Sequence, residues 1–168
     1  GRFWYDGESN TFSYYNDISD MTVNIGQETV IRVYNDSGAT IPNGAAVRET
    51  GVNAGLPTIG LAQADTISTS IVLGVATHDI EDSTPGYITI NGTVNDVDLS
   101  SVATPGSDLY LSDGIAGGYT TVAPQVASRV GTALVNTASG TILVNIDNDR
   151  VLPPAIGWMN SIPGARTL

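Results

Sequence analysis

The stretch Glu28–Gly44, ETVIRVYNDSGATIPNG, decides the class of fold. Over Glu28 to Asn35, Val30, Arg32 and Tyr34 fall on one side of an extended chain and Ile31 and Val33 on the other. That is the period of two expected of a strand. The β-branched side chains suit a pleated surface better than a helix. Asp36-Ser37-Gly38 and Pro42-Asn43-Gly44 follow as strong turn signals, because Gly supplies positive φ and Asp and Asn cap their own backbone. A strand punctuated this closely is a building block of an all-β domain.

Working outward, short apolar runs bounded by Gly, Pro, Asn and Asp recur along the whole sequence. The predicted strands are Phe3–Tyr5, Phe12–Tyr15, Met21–Ile25, Glu28–Asn35, Ala45–Thr50, Thr58–Ala64, Ile71–Ala76, Tyr87–Val94, Leu109–Leu111, Val126–Val135 and Thr141–Ile146. Phe3–Tyr5 and Phe12–Tyr15 flank an Asp6-Gly7 turn and read as a hairpin. A loose internal repeat is also visible. One unit opens at Gly38–Gly44 and the other at Val102–Gly106. Each then carries two Gly-led strands, at Gly74-Val75-Ala76 and Gly86–Ile90 in the first and at Gly131-Thr132-Ala133 and Gly140–Val144 in the second. The expected architecture is a small β-barrel or sandwich of two related halves. Residues 1–28 form an aromatic hairpin and connecting strand, 29–149 the two-halved body, and 150–168, rich in Pro and Gly, an extended C-terminal arm.

Composition removes whole classes of function. The 168 residues include no Cys and a single His, so disulfides, thiolate metal sites, Cys nucleophiles and paired imidazoles are out. The six cations are all Arg, which removes Schiff-base lysines and lysine phosphate loops. A net charge of −11 opposes nucleic-acid binding, which rests on phosphate neutralisation. No apolar run approaches the roughly 18 residues that suggest a membrane-spanning helix, so no membrane insertion is expected. Gly1–Asp6 does not read as a signal peptide, and the missing initiator Met suggests a processed product or part of a longer chain.

Few residues look chemical. His78 and Asp79 are adjacent, so on a strand they point to opposite faces, and His78 reads as structural rather than as a general base. No Gly-x-Ser-x-Gly elbow supplies a nucleophile. Asp96 and Asp98, and Asp147 and Asp149, have the spacing of shared-face carboxylates. However, Arg150 and Val151 stand where a calcium loop would continue, and these acids read as solvated loops. Asn35 and Asn91 fit glycosylation sequons. No catalytic residue, cofactor or metal is expected. The distinctive feature is the crowding of Phe3, Trp4, Tyr5, Phe12, Tyr14 and Tyr15 into the first fifteen residues. One hairpin cannot bury large side chains on both faces against one core. The readings are a subunit contact, a sugar-stacking platform, or a hairpin packed on its own domain. Trp158 and Met159 in the arm are further docking candidates.

Several segments resemble bacteriophage tail-fibre and related virion proteins. They are the aromatic Gly1–Asp6, Gly26-Gln27-Glu28, the Asn35–Gly44 turn, Leu73–Ile80, Gly86–Thr89, Pro105–Leu111 and Gly140–Val144. The second half is similar as well to small β-barrel proteins that decorate phage capsids. The resemblance covers residues 1 to 149 and consists of turns and strands. It implies a structural, non-enzymatic virion component assembled in the bacterial cytoplasm. Such a component would be a homotrimer contacting tail or major capsid proteins. Two alternatives are a capsid decoration protein and a module binding a host surface glycan.

Overall fold

The computed structural model describes residues 2–15, 21–102 and 104–148. Among them every regular element is a strand: β1 Phe3–Asp6, β2 Thr11–Tyr15, β3 Thr22–Asn24, β4 Glu28–Asn35, β5 Ala46–Asn53, β6 Leu56–Leu61, β7 Gly74–Ala76, β8 Pro85–Val97, β9 Asp108–Leu111, β10 Tyr119–Thr120, β11 Arg129–Val135 and β12 Gly140–Asp147. The chain is therefore all-β, as its alternation predicts. The C-terminal arm, with Trp158 and Met159, lies outside the described residues.

β1, β2 and β3 form a three-stranded antiparallel sheet, and β4 to β12 form a nine-stranded one. In β4, Val33 is fully buried and Ile31 packs beside it in a core with Ile41, Val47, Ile59, Ile80 and Ile88. This is the inward face that the alternation of ETVIRVYN requires. A second core gathers Val72, Val75, Val94, Val97, Leu99, Leu109, Leu111, Val130, Ile142 and Val144.

The body divides into two halves built alike, and the second core draws on both, since Val72 and Val75 of the first half pack into it. In the first, β5 pairs with β6 and β7, β7 with β8, and β8 with β4; in the second, β9 pairs with β10 and β11, β11 with β12, and β12 with β8. All eight of these pairings are antiparallel. The turns that open each half repeat bond for bond. Gly44 N–H donates to Ala76 O at 2.8 Å and Ala76 N–H to Ala45 O at 2.9 Å; Gly106 N–H donates to Ala133 O at 2.8 Å and Ala133 N–H to Ser107 O at 2.9 Å. Gly44 and Gly106 both hold positive φ, +77° and +85°. Equivalent glycines admit close backbone approach. A Cβ on Gly74 would lie 2.9 Å from Thr89 O, and one on Gly131 would lie 2.0 Å from Leu143 O.

The halves overlap in β8, which is the closing strand of the first and the opening strand of the second. The first half closes into a ring, because β6 also pairs in parallel with β4 through Tyr34 and Asn35. The second half has no such pair between β10 and β8. The first half's turn fills the break. The Asn43 side-chain amide donates to Asn95 O at 2.8 Å and Asp96 O at 3.2 Å, and the Tyr119 hydroxyl donates to Gly44 O.

Several strand expectations need correction. Val126–Val135 begins only at Arg129, Thr58–Ala64 shifts to Leu56–Leu61, and Ala45–Thr50 and Tyr87–Val94 extend to Asn53 and to Pro85–Val97. Ile71–Ala76 narrows to Gly74–Ala76 because Val72 finds a side chain in place of a strand. Asn148 accepts from Val72 N–H at 3.1 Å and donates to Val72 O at 2.9 Å. The short β10 went unpredicted because Tyr119–Thr120 carries no alternating run of its own and owes its place to β9.

Candidate functional site

The three-stranded sheet is built around its aromatics. Phe3 lies opposite Tyr14 and Tyr5 opposite Phe12, while Trp4 lies opposite Ser13. Directly opposed residues share a face. Phe3, Tyr5, Phe12 and Tyr14 therefore occupy one face, and Trp4, Ser13 and Tyr15 the other. The Ile25 N–H bonds Phe12 O at 2.8 Å, which carries Ile25 onto the first face. Asp6 holds the hairpin turn, accepting from Glu8 N–H at 3.0 Å and the Ser9 hydroxyl at 2.6 Å. The Ser9 hydroxyl first, and then the Glu8 amide, hold the Asp6 carboxyl below its ordinary value.

The first face is open to solvent. Phe3 is 62% exposed, Tyr5 58%, Phe12 51% and Ile25 48%. The rings contact each other, Phe3 stacking on Phe12 at 5.2 Å and Tyr5 meeting Phe12 edge-on at 5.6 Å. The second face is more enclosed. Trp4 tilts against Tyr15 at 4.7 Å, and the Arg2 guanidinium lies 5.8 Å from the Trp4 ring. Trp4 and Tyr15 are half-buried and Ser13 is fully buried, while Tyr14 is the half-buried member of the first face. The structure thus brings together the six N-terminal aromatics singled out in the sequence and divides them between two faces.

Glu28 joins this sheet to the body. It accepts from Asn24 N–H at 3.3 Å, from the Asn24 side-chain amide at 3.2 Å and from the Thr93 hydroxyl at 3.4 Å. Burial pushes its carboxyl above the ordinary 4.5, against the opposing pull of the Asn24 and Thr93 hydrogen bonds. Met21 is buried at the same seam, and its sulfur accepts from the Thr77 hydroxyl at 3.4 Å.

The other sequence candidates have structural work. His78 Nδ1 lies 2.7 Å from Asp79 O, and Nε2 lies 3.2 Å from Tyr87 N, so the ring bridges two backbone groups. Asp98 caps Ser100 N–H at 3.0 Å and its hydroxyl at 2.6 Å. Asp149 falls outside the described residues. Among the described residues no three His, Asp or Glu side chains converge as a metal site, and no helix is long and apolar enough to cross a membrane. Asn35, one of the two sequon asparagines, is fully buried. Its amide donates to Ala39 O and Ile80 O, both at 2.8 Å, and its oxygen accepts from Ser37 N–H at 3.0 Å.

Sequence reasoning missed Ile25 as a member of the aromatic face and Asn35 as a structural centre. Ile25 closes a strand facing Phe12, and that pairing could have placed it. Asn35 gave no signal beyond its turn. No known family model matches this chain, and no curated protein matches it.

Proposed function

We propose that this chain is a structural component of a bacteriophage virion, a tail-fibre or fibre-attachment domain, that assembles with its own copies through the N-terminal sheet and docks on other virion proteins. It transforms no substrate. The observation that carries this reading is the uncovered cluster of Phe3, Tyr5, Phe12 and Ile25 on one face of a three-stranded sheet, with Phe12 in ring contact with both Phe3 and Tyr5. Contiguous exposed aromatic surface is characteristic of contact sites. The homotrimer and the virion location come from the resemblance of the turns and strands to phage proteins. A sugar platform fits less well, because Trp4 already lies against Tyr15 and Arg2 and presents no open indole plane. Two measurements test the reading. Sedimentation of the purified chain is expected to show concentration-dependent association that Tyr5→Ser weakens. Labelling virions with an antibody to the chain is expected to mark the tail. Label spread over the shell in hundreds of copies would make it a capsid decoration protein, and unlabelled particles would end the proposal.

A further inference from the structure

We infer that two copies of this chain join edge to edge through β1, in antiparallel register centred on Trp4. The inference rests on the self-assembly proposed above and names its contact. Tyr15 N–H bonds Arg2 O at 2.9 Å, which makes Arg2–Tyr15 a hydrogen-bonded pair. Hydrogen-bonded and non-hydrogen-bonded pairs alternate along an antiparallel ladder. Trp4–Ser13 and Asp6–Thr11 are therefore bonded pairs, whereas Phe3 and Tyr5 turn their N–H and C=O groups away from β2. The bond from Ile25 N–H to Phe12 O confirms the phase, since it aims Phe12 at β3 and leaves Thr11, Ser13 and Tyr15 for β1. Among the described residues no strand pairs with the outer edge of β1. A row of unpaired donors and acceptors is a template for another strand.

A second copy fits that edge in one register. With Trp4 opposite Trp4 of the second copy, Phe3 of each strand faces Tyr5 of the other, and every outward N–H and C=O of those residues finds a partner. The same register sets Arg2 of each chain opposite Asp6 of the other, so both ends of the pair are charge-matched. Centring on Tyr5 would place Phe3 against Gly7, which lies in the turn outside β1. It would also set Trp4 against the Asp6 carboxylate. Centring on Phe3 would leave Asp6 unmatched and set Arg2 against Trp4. The Trp4-centred contact extends the aromatic face across both copies and covers the edges of the Phe3 and Tyr5 rings. It is a self-complementary twofold contact. Within a trimeric assembly it would join one trimer to another.

Cysteine trapping tests the register on the full chain, which has no cysteine of its own. Opposed non-hydrogen-bonded residues bring their Cβ atoms to about 4.5–5.5 Å, close to disulfide distance. Under mild oxidation Trp4→Cys is expected to give a covalent dimer at least roughly tenfold faster than Phe3→Cys or Tyr5→Cys, whose own symmetry mates lie diagonally displaced. Equal or reversed preference overturns the register. A second measurement avoids replacing Trp4. Arg2→Asp is expected to weaken association roughly tenfold, because it sets two carboxylates against each other at both ends of the contact, and high salt is expected to narrow that difference. Arg2→Asp that associates as tightly as the parent chain overturns the pairing. An oligomer indifferent to all these changes defeats the β1 contact and leaves self-assembly standing. A chain that stays monomeric at every concentration defeats both.

Discussion

The body and the N-terminal sheet handle the same problem in opposite ways. In the body, strand edges meet other strands or side chains, as Asn148 meets Val72 and Asn43 meets Asn95 and Asp96. Its buried apolar side chains gather in two cores, although Val52, Ile115 and Val122 are exposed on its surface. The sheet of β1 to β3 keeps an open outer edge and an exposed aromatic face. Three short strands are about the least that can hold together, and then only with an apolar face to pack. The contrast teaches a division of labour, in which the body supplies stability and the sheet supplies contact surface.

The sharpest way to break this comparison is to damage the body's polar centre. Asn35→Ala removes a fully buried side chain that bonds Ala39 O, Ile80 O and Ser37 N–H. It is expected to cost about 2 kcal/mol, since each lost hydrogen bond carries about 0.5–1.5 kcal/mol while Ile80 O and Ala39 O keep bonds from Ile41 N–H and the Ser37 hydroxyl. The check is the urea midpoint, and a loss below about 0.5 kcal/mol would mean that water reaches this site. Phe12→Ser is expected to do the reverse. Its ring touches Phe3 and Tyr5 on an open face, so the main unfolding transition should move by no more than about 1 kcal/mol. Self-association measured by sedimentation should fall sharply. If Phe12→Ser melts the body, the division is wrong.

The smallest effect lies at the seam. Burial raises the Glu28 carboxyl above 4.5, so folding favours its protonated form. The stability tied to Glu28 is fully present below the unfolded value and is lost as pH rises through the folded one. Asp6, Asp65 and Asp98 run the other way. Serine or threonine hydroxyls hold each below 3.8, so their contributions are present above that value and lost as pH falls through the lower folded values. Thermal melts of the parent chain and Glu28→Gln compared across the pH range therefore isolate Glu28, because every other titrating group is common to both. Glu28→Gln is expected to flatten the pH dependence there and to gain stability at pH 7. A steeper dependence in the variant would place the titrating group elsewhere.

Much of this architecture was legible in the sequence because it rests on local rules. The alternation in ETVIRVYN placed β4 with its buried face, and turn residues marked Gly38, Gly44 and Gly106. The repeated Gly-led strands sit at equivalent registers, Ile88 against Ala76 and Ile142 against Ala133. What escaped were features set by distant partners. β10 exists only beside β9, and Val72 is held by a side chain 76 positions away. The aromatic crowding at the N-terminus was plain, but its division into an open and an enclosed face follows from pairing phase. Tyr5 and Trp4 are neighbours in sequence yet differ in exposure because strand geometry sends them to opposite sides.

One strand serves two masters in this protein. Because β8 closes the first core and opens the second, neither half possesses a complete set of walls without it. Cutting the chain into its two repeats would leave one fragment lacking a flank. Heat should dismantle both cores in a single calorimetric peak, and the paired amides from Gly86 to Val97 should exchange with deuterium only when the whole body opens.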